Sequence, residues 1–359
     1  MTDDNPYRLV GQMTLGDPFV GRAELLRKVQ SCWRGQGRPG NLSIQGSHRM
    51  GKTSLVSRAA EIDGDSRENL LFVRLSVGDH ESGTDLFRAV VRETHHELGS
   101  STSPGAAPYR RVLDQLAMDV AKQTEWFELA ETVRTFFTYL GRSDMSVVVI
   151  LDEFDRASQV FGRLADFQFL RTLASEAFSP IGLVTVSRRP IDVVEIDAVG
   201  GSTLDGVLSL RCNVGCFSDT DIDEMLGRAE QAGIDLRARK DEITHITGGH
   251  PYLLGLLCCE IVHRFHYSAT VDIRLAYSGL IPQFETQFKV LARALDAATG
   301  NRGKDLLWRV SQNRDDTIPA IDVDLMRRLG LLSPDVGQIC LFSNKFAHFV
   351  QRLVQSGPE

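Results

Sequence analysis

The stretch that most constrains how this chain folds is Gly46–Ser54, with the sequence GSHRMGKTS. It fits the pattern G-x-x-x-x-G-K-[S/T] and lies between a short strand-like run at 41–45 and a run at 53–62 that contains no helix breaker. Glycines let backbone N–H groups turn inward around an anion, and a helix that follows directly presents its N-terminus to the same charge. The stretch therefore predicts a phosphate-binding loop between a buried strand and a helix.

Side chains of this loop have their own roles in the prediction. Lys52 would reach the β- and γ-phosphates of a nucleotide, and the Thr53 hydroxyl would ligate Mg²⁺. ATP or ADP with Mg²⁺ is therefore the expected cofactor. The other residues that we assign to nucleotide binding in this stretch are Gly46, His48, Arg49, Met50, Gly51 and Ser54.

A second signal is the run SVVVILDEFD at 146–155, in which apolar residues end abruptly at Asp152 and Glu153. A continuous apolar run suits a parallel strand that is buried on both faces. Carboxylates at its C-terminal end lie where ligands bind in open α/β sheets. We expect Asp152 to hold Mg²⁺ through water and Glu153 to act as the general base on the attacking water. Asp155 would either add charge there or, as we favour, cap the following helix.

The rest of the N-terminal half supplies the other elements of such a sheet. Further strands are predicted at 69–77, 182–190 and 206–214. Helices are predicted at 83–98, 108–122 and 125–140, with an exposed loop at 99–107 that is rich in Gly, Ser and Pro. This order predicts an α/β fold, a P-loop NTPase with a parallel five-stranded sheet flanked by helices.

Two further segments have possible roles in nucleotide binding because a phosphate loop is predicted in the same chain. Taken alone, the segment PFVGRAELLRKVQ predicts an amphipathic helix with a polar start. Because it precedes a phosphate loop, it could instead fold back so that Val20 lines an adenine pocket and Arg22 approaches the nucleotide. At the end of the strand predicted at 182–190, Ser187 could sense the γ-phosphate and Arg188 or Arg189 could pair with phosphate charge. The alternative is that both arginines face solvent.

From residue 218 the chain becomes helical, and we predict a lead-in at 1–18, an ATPase domain at 19–217, a helical domain at 218–284 and a winged-helix domain at 285–359. The turn before Pro251 either opens a helix in the ordinary way or leans over the nucleotide. The tail predicts three helices, a hairpin around 334–337 and a final helix.

The charge balance decides how that tail is interpreted. Residues 301–359 carry eight basic and seven acidic side chains, whereas a DNA-binding face needs a clear basic excess. Protein contact, or packing on the ATPase core, is therefore favoured over DNA binding. The whole chain of 359 residues has a net charge of −7, which also argues against a generally basic nucleic-acid binder.

Composition and residue spacing also bear on the cellular compartment and on metal binding. The N-terminus has no apolar core and no run approaches the ~18 apolar residues of a membrane span, so a cytoplasmic protein is expected. The six cysteines form no C-x-x-C pair and are expected to be reduced core residues. One cluster contains residue types that can bind a metal, namely Cys258, Cys259, His263 and His266. They lie in an apolar helical run, however, so packing explains them better than a metal site does.

With these residues in hand, the chain resembles a P-loop ATPase of the STAND and AAA+ superfamily, and more narrowly the archaeal-type ATPase branch, over about residues 15–355. FVGRAEL is similar to the N-terminal adenine-side motif, which implies that role for Val20, Gly21 and Arg22. GSHRMGKTSL resembles the P-loop of the family, in which a basic residue such as Arg49 is usual before the second glycine.

Three further motifs carry the resemblance. VVILDEFD is similar to the Walker B strand of the family, and TVSRR to the strand-end sensor with Ser187 and Arg188. TGGHPYLL resembles the Gly-x-Pro motif of the helical domain, which implies that Pro251 lies against the nucleotide base. The end of the chain is like the winged-helix terminus of these proteins.

The resemblance implies an ATP-binding, Mg²⁺-dependent, slowly hydrolysing switch, with Glu153, Lys52 and Arg188 as catalytic residues. STAND proteins usually carry sensor repeats or an effector domain, and no segment here is left over for either. The resemblance therefore implies self-assembly as a homo-oligomer or a separately encoded effector protein, as in bacterial antiviral defence modules. The alternatives are a DNA-associated AAA+ ATPase that uses its winged helix to bind DNA, and a scaffold that holds ATP or ADP permanently.

Overall fold

The computed structural model describes residues 5–11, 19–35, 37–64, 67–101, 103–177, 179–201, 204–314, 318–333 and 339–355. The chain divides into two compact units. The sheet unit contains Ala23–Gln45 and Leu55–Cys212, and the helical unit contains Met1–Arg22, Gly46–Ser54 and Asn213–Glu359.

Within the described residues the strands form one five-stranded sheet of order β2-β3-β4-β1-β5. The strands are β1 (Leu42–Gln45), β2 (Leu70–Ser76), β3 (Ser146–Asp152), β4 (Ile181–Ser187) and β5 (Leu210–Asn213). The β2–β3, β3–β4 and β4–β1 pairs are parallel. All seven residues of β4 are buried, as are the five apolar residues of β3, because helices cover both faces of a parallel sheet.

Eight helices of the described chain accompany these strands. They are α1 (Ala23–Trp33), α2 (Lys52–Gly64), α3 (Gly83–Ser100), α4 (Arg110–Lys122), α5 (Trp126–Arg142), α6 (Ala157–Val160), α7 (Leu164–Ser175) and α8 (Ile191–Val199). The sheet-unit core includes an aromatic group in which Phe87 and Phe167 each pack against Phe161, with ring centroids 6.1 and 4.9 Å apart. This apolar core fixes the strands whose ends carry the acidic residues.

The C-terminal part of the chain is built from helices. They are α9 (Asp219–Gly227), α10 (Lys240–Thr247), α11 (Pro251–Ser268), α12 (Ile273–Ala298), α13 (Gly303–Ser311), α14 (Ala320–Arg328) and α15 (Asn344–Gln355). Ser218 caps α9 by accepting a hydrogen bond from the Asp221 N–H, as its type and position predict. Phe288, Phe342, Phe346 and Phe349 lie in the core of this unit.

The structure corrects several predicted boundaries. The segment 99–107 is not an open loop, because α3 continues to Ser100 and residues 104–109 form a 3-10 helix whose Ala106 is fully buried. The fifth strand is shorter than predicted, since residues 205–207 form a 3-10 turn before it. The domain boundary predicted after residue 284 lies within the residue range of α12, and the division into domains stays a prediction.

The C-terminal hairpin is described only in part. Leu332 and Leu341 form an antiparallel bridge, and the turn predicted at 334–337 lies outside the described residues. All six cysteines are free thiols; Cys212 and Cys258 are buried and the other four are partly buried. Across the described residues, no helix has the length and apolar character that crossing a bilayer requires.

Candidate active site

The predicted phosphate loop lies between β1 and α2, and its two glycines are needed for different reasons. Gly46 has φ +158°, and a Cβ built on it would lie 2.3 Å from the Val214 carbonyl oxygen. Gly51 has φ +85° with no described atom within 4 Å of such a Cβ. The first glycine is therefore required by close backbone approach and the second by its left-handed conformation.

The residues after the second glycine begin α2. Lys52 starts the helix, and its Nζ donates a hydrogen bond of 2.9 Å to the Ser47 carbonyl oxygen, so the side chain folds back over the loop. Thr53 and Ser54 follow in the first turn and are half-buried. The loop thus presents a lysine, a hydroxyl and a helix N-terminus together, which are the groups that bind phosphate.

The four variable residues of the loop each contact another segment of the helical unit. The contacts are from Ser47 Oγ to the Leu329 carbonyl oxygen, from His48 to Gln287, from the Arg49 guanidinium to the Tyr252 ring at 4.0 Å, and from Arg22 Nη2 to the Met50 carbonyl oxygen at 3.4 Å. The pattern that defines a phosphate loop leaves these four positions open. In this chain they connect the loop to α11, to α12, to the residue that follows α14 and to the N-terminal segment.

The residues predicted for the adenine side lie in the same unit. Val20 is buried in the core of the helical unit. Gly21 has φ +68°, and a Cβ there would lie 2.5 Å from Asp221 Oδ1. The Arg22 guanidinium donates to the carbonyl oxygens of Gly215 and Cys216 as well as Met50. Burial lowers the pKa of Arg22, and the nearby Asp221 carboxylate opposes that shift.

Pro251 is the first residue of α11 and His250 is its N-cap residue. Two glycines with positive φ, Gly248 and Gly249, form the turn before them. The prediction that Pro251 lies against a nucleotide base stays a prediction. The next residue, Tyr252, is the one whose ring faces Arg49.

The acidic pair lies at the end of β3, as the sequence predicts. Asp152 is the last residue of the strand, and its Oδ2 lies 3.7 Å from Arg74 Nη1. Glu153 is exposed and takes a left-handed backbone with φ 52°. A Cβ built on Gly78 would lie 3.3 Å from Glu153 Oε2, so the carboxylate borders the turn after β2. Left-handed non-glycine residues are strained and cluster at functional sites.

The strand end at Ser187 differs from the prediction in one respect. Asp155, expected to cap the following helix, instead accepts hydrogen bonds from the backbone N–H of Arg188 at 2.5 Å and of Arg189 at 3.1 Å, and from Arg188 Nε at 2.8 Å. Asp155 is buried and binds the end of β4 because the two backbone donors and the guanidinium converge there. Ser187 Oγ donates to the Arg189 carbonyl oxygen, and Arg189 pairs with Asp197.

Three neighbouring strands therefore end at one edge of the sheet. Gln45 of β1 is in register with Ser187 of β4, and Leu151 of β3 is in register with Thr185 of β4. The phosphate loop continues the chain directly from Gln45. Ligands of open α/β sheets bind outside the carboxyl ends of the strands, so this edge is where a nucleotide is expected.

The two predicted Mg²⁺ ligands are each of a suitable chemical type. Thr53 supplies a hydroxyl oxygen and Asp152 a carboxylate oxygen, and Mg²⁺ prefers oxygen ligands with several waters. No group of three or more His, Cys, Asp or Glu side chains in the described residues is arranged to hold a metal. Mg²⁺ at nucleotide sites is usually held by one or two protein oxygens together with phosphates and waters, and the assignment of Thr53 and Asp152 to it stays a prediction.

Sequence reasoning missed Gln287 and His250 as residues near the loop, and it gave Asp155 the wrong partner. Gln287 lies in the middle of α12, far from the loop in sequence, and no local pattern marks it. His250 lies in the TGGHPYLL motif, in which only its neighbour Pro251 has a predicted role. Asp155 is buried, and burial at a strand end is visible only in the folded chain.

A glycine loop that joins the first strand of a parallel sheet to a helix, with an acidic residue ending another strand of that sheet, defines a P-loop NTPase. The model of the AAA ATPase domain family matches residues 18–186. This part of the chain is similar to an AAA ATPase domain, and ATP hydrolysis is the activity that such a domain indicates.

Solved structures agree on the fold. A Walker-type ATPase of Pyrococcus abyssi is similar with a TM-score of 0.59 and 14% identity, covering 94% of this chain and 97% of that one. The ORC2 protein of Aeropyrum pernix, in ADPNP–ADP complexes, is similar with a TM-score of 0.52 and 13% identity, covering 95% and 97% of the two chains. Comparison with curated protein sequences finds no match.

Proposed function

We propose that this ATPase is a Mg²⁺-dependent nucleotide switch, in which ATP bound at the phosphate loop sets the state of the helical unit and hydrolysis releases it. The observation that carries the proposal is the attachment of all four variable loop residues to segments of the helical unit. A loop attached in this way cannot change shape around a nucleotide without affecting those segments. The ORC2 structure with bound ADPNP and ADP supports nucleotide binding by this fold.

Each residue has a role in the proposed reaction. Lys52 binds the β- and γ-phosphates, and Thr53 and Asp152 hold Mg²⁺, which when bound neutralises phosphate charge. Glu153 polarises the attacking water. Its exposed carboxylate and left-handed backbone support this assignment, because residues with such strained backbones cluster at functional sites.

The proposed adenine and sensor residues act around these. Val20, Gly21 and Pro251 border the base, and Ser187 and Arg188 respond to the γ-phosphate. Arg188 Nε is bonded to Asp155 in the structure, so a phosphate contact by Arg188 would use its remaining guanidinium nitrogens or a rearranged side chain. Arg22 supports the loop from outside, through the carbonyl oxygen of Met50.

The output of the switch is proposed to be self-assembly or control of a separately encoded effector, in a bacterial defence module and in the cytoplasm. The C-terminal segment, as a winged helix, would make protein contacts. Its order of three helices, an antiparallel bridge and a final helix supports this interpretation. The balanced charge of residues 301–359 makes DNA the less favoured partner.

The test is ATP binding by isothermal titration calorimetry with Mg²⁺. Lys52→Ala removes the cation that reaches the phosphates, so ATP affinity should fall at least about a hundredfold, which corresponds to about 2.7 kcal/mol. Lys122→Ala is the matched control, because Lys122 is exposed at the end of α4. Equal ATP affinity for wild type and Lys52→Ala would contradict the assignment of the phosphate loop.

A further inference from the structure

The helical unit contains a buried polar network that the catalytic assignment does not use. Gln287 lies in α12, is 2% exposed, and places its amide between two histidines. Its Nε2 lies 3.1 Å from the His48 carbonyl oxygen and 3.2 Å from His250 Nε2, and its Oε1 lies 3.4 Å from His48 Nδ1. A buried amide with this many partners stabilises one arrangement of the groups around it.

The donors and acceptors of this network can be assigned. A carbonyl oxygen only accepts, so the Gln287 nitrogen must face His48, and the amide has a second hydrogen for His250 Nε2. His250 then accepts at Nε2 and carries its proton at Nδ1. Burial is the largest cause that lowers the pKa of His250, the nearby His48, Arg22 and Arg49 contribute, and the resulting pKa of about 3 leaves the ring neutral at physiological pH. A neutral ring keeps the acceptor that holds Gln287.

This bond sets the direction of one peptide unit in the phosphate loop. In a trans peptide the carbonyl oxygen and the following N–H point in opposite directions. Because the His48 carbonyl oxygen points at Gln287, the Arg49 N–H points away from α12. Arg49 has a left-handed backbone with φ 61°, so the loop turns at this residue and a change in the preceding peptide would alter the turn.

We propose that Gln287, held by His250, is a positioning residue for nucleotide binding, which orients the His48–Arg49 peptide so that its N–H can donate to a phosphate. The proposal rests on the proposed function of the loop. It extends the site to a residue of α12 that touches neither phosphate nor metal, and it explains why a glutamine is buried in an otherwise apolar face of that helix.

The first test measures ADP affinity by calorimetry with Mg²⁺. Gln287→Leu keeps the approximate volume but removes both donors, and we expect about tenfold weaker ADP binding, the fold-change that loss of one to two hydrogen bonds predicts. Gln283→Leu is the matched control, since Gln283 is exposed one turn earlier in the same helix. His250→Leu should weaken ADP as Gln287→Leu does, whereas His250→Gln keeps an acceptor in the ring's place and should restore most of the affinity.

A positioning role and a purely structural role give different results. Positioning predicts a raised KM for ATP with a nearly unchanged kcat, because bound ATP itself restores the loop at saturation. A structural role predicts a lower Tm with unchanged affinity and KM. Gln287→Glu is the second variant, in case Leu prevents folding, and its carboxylate should weaken ADP further by repelling phosphate.

The second test needs no nucleotide. Hydrogen exchange of the loop peptide at 45–54 in nucleotide-free protein should become faster in Gln287→Leu and remain unchanged in Gln283→Leu. Unchanged exchange and unchanged affinity in Gln287→Leu would overturn the inference. If the wild type binds no ADP but its loop exchange responds to Gln287→Leu, the proposed function fails while the orientation of the loop by Gln287 stands.

Discussion

Three residues of the candidate site share an unusual backbone conformation. Arg22, Arg49 and Glu153 have φ of 62°, 61° and 52°. Such conformations cost about 1–3 kcal/mol each for a non-glycine residue and persist only where the surroundings impose them. The structure shows what surrounds two of these residues. Carbonyl oxygens accept hydrogen bonds from the Arg22 guanidinium, and the Tyr252 ring packs against the Arg49 guanidinium. Strain at these positions supports a functional role for each of them.

The buried carboxylate at the end of β4 leads to a prediction about stability. Asp155→Asn removes the negative charge that accepts three hydrogen bonds from Arg188 and Arg189. It also replaces one acceptor oxygen by an NH2 group, which would face the N–H donors of these arginines. We expect the free energy of unfolding to fall by about 1.5–3 kcal/mol, measured by urea denaturation.

The control for this prediction is Asp197→Asn. Asp197 pairs with Arg189 at the surface, with its side chain 49% exposed, and such pairs contribute about 0–1 kcal/mol. Equal losses in the two variants would mean that Asp155 is no more than another surface partner of these arginines.

At the residue scale, the sequence leads to specific predictions where chemistry depends on fixed spacing. Lys52 and Thr53 follow from the loop pattern, and Asp152 and Glu153 follow from an apolar run that ends in acids. Gln287 could not be found in this way, because its importance lies in contacts across more than two hundred residues of chain. The roles of the loop and strand-end residues stay predictions, as do those of Ser187, Arg188 and Pro251.

At the scale of elements, the sheet was predictable because its strands are strong apolar runs. Predicted strands at 69–77, 146–155 and 182–190 match β2, β3 and β4 to within a few residues. The segment 99–107 was mispredicted because Gly, Ser and Pro indicate a loop locally, whereas packing of Ala106 decides its structure. Strand order also could not be read from the sequence, since it depends on which edges pair.

The approach of the phosphate loop to the segment after β5 gives a prediction for the loop as an element. In Gly46→Ala the new Cβ would meet the Val214 carbonyl oxygen at 2.3 Å, so one of the two backbones must move. We expect ATP affinity to fall at least about tenfold and the Tm to drop, measured by calorimetry and thermal unfolding.

The matched control is Gly99→Ala. Gly99 lies in α3 with no described atom within 4 Å of an added Cβ, so alanine should stabilise the helix by about 0.5–1 kcal/mol. Unchanged ATP affinity and Tm in Gly46→Ala would show that the loop tolerates a side chain there, against the geometry.

At the scale of the whole molecule, the division into units bears on how a switch could work. The phosphate loop belongs to the helical unit, while Asp152 and Glu153 belong to the sheet unit. The phosphate-loop residues and the proposed base thus belong to different units. The sequence alone does not predict this division, because the motifs follow one another within a single predicted ATPase domain. In the proposed switch, the loop contacts within the helical unit would transmit the nucleotide state.

The measurement that tests the central claim most directly is ATP binding and steady-state ATP hydrolysis, with Mg²⁺, for wild type and Glu153→Gln. Glutamine keeps the shape but cannot accept a proton from water, so ATP affinity should be retained while kcat falls about a hundredfold or more. Glu97→Gln, an exposed glutamate of α3, should match the wild type in both. Undiminished hydrolysis in Glu153→Gln would contradict the account, because the base would then lie elsewhere.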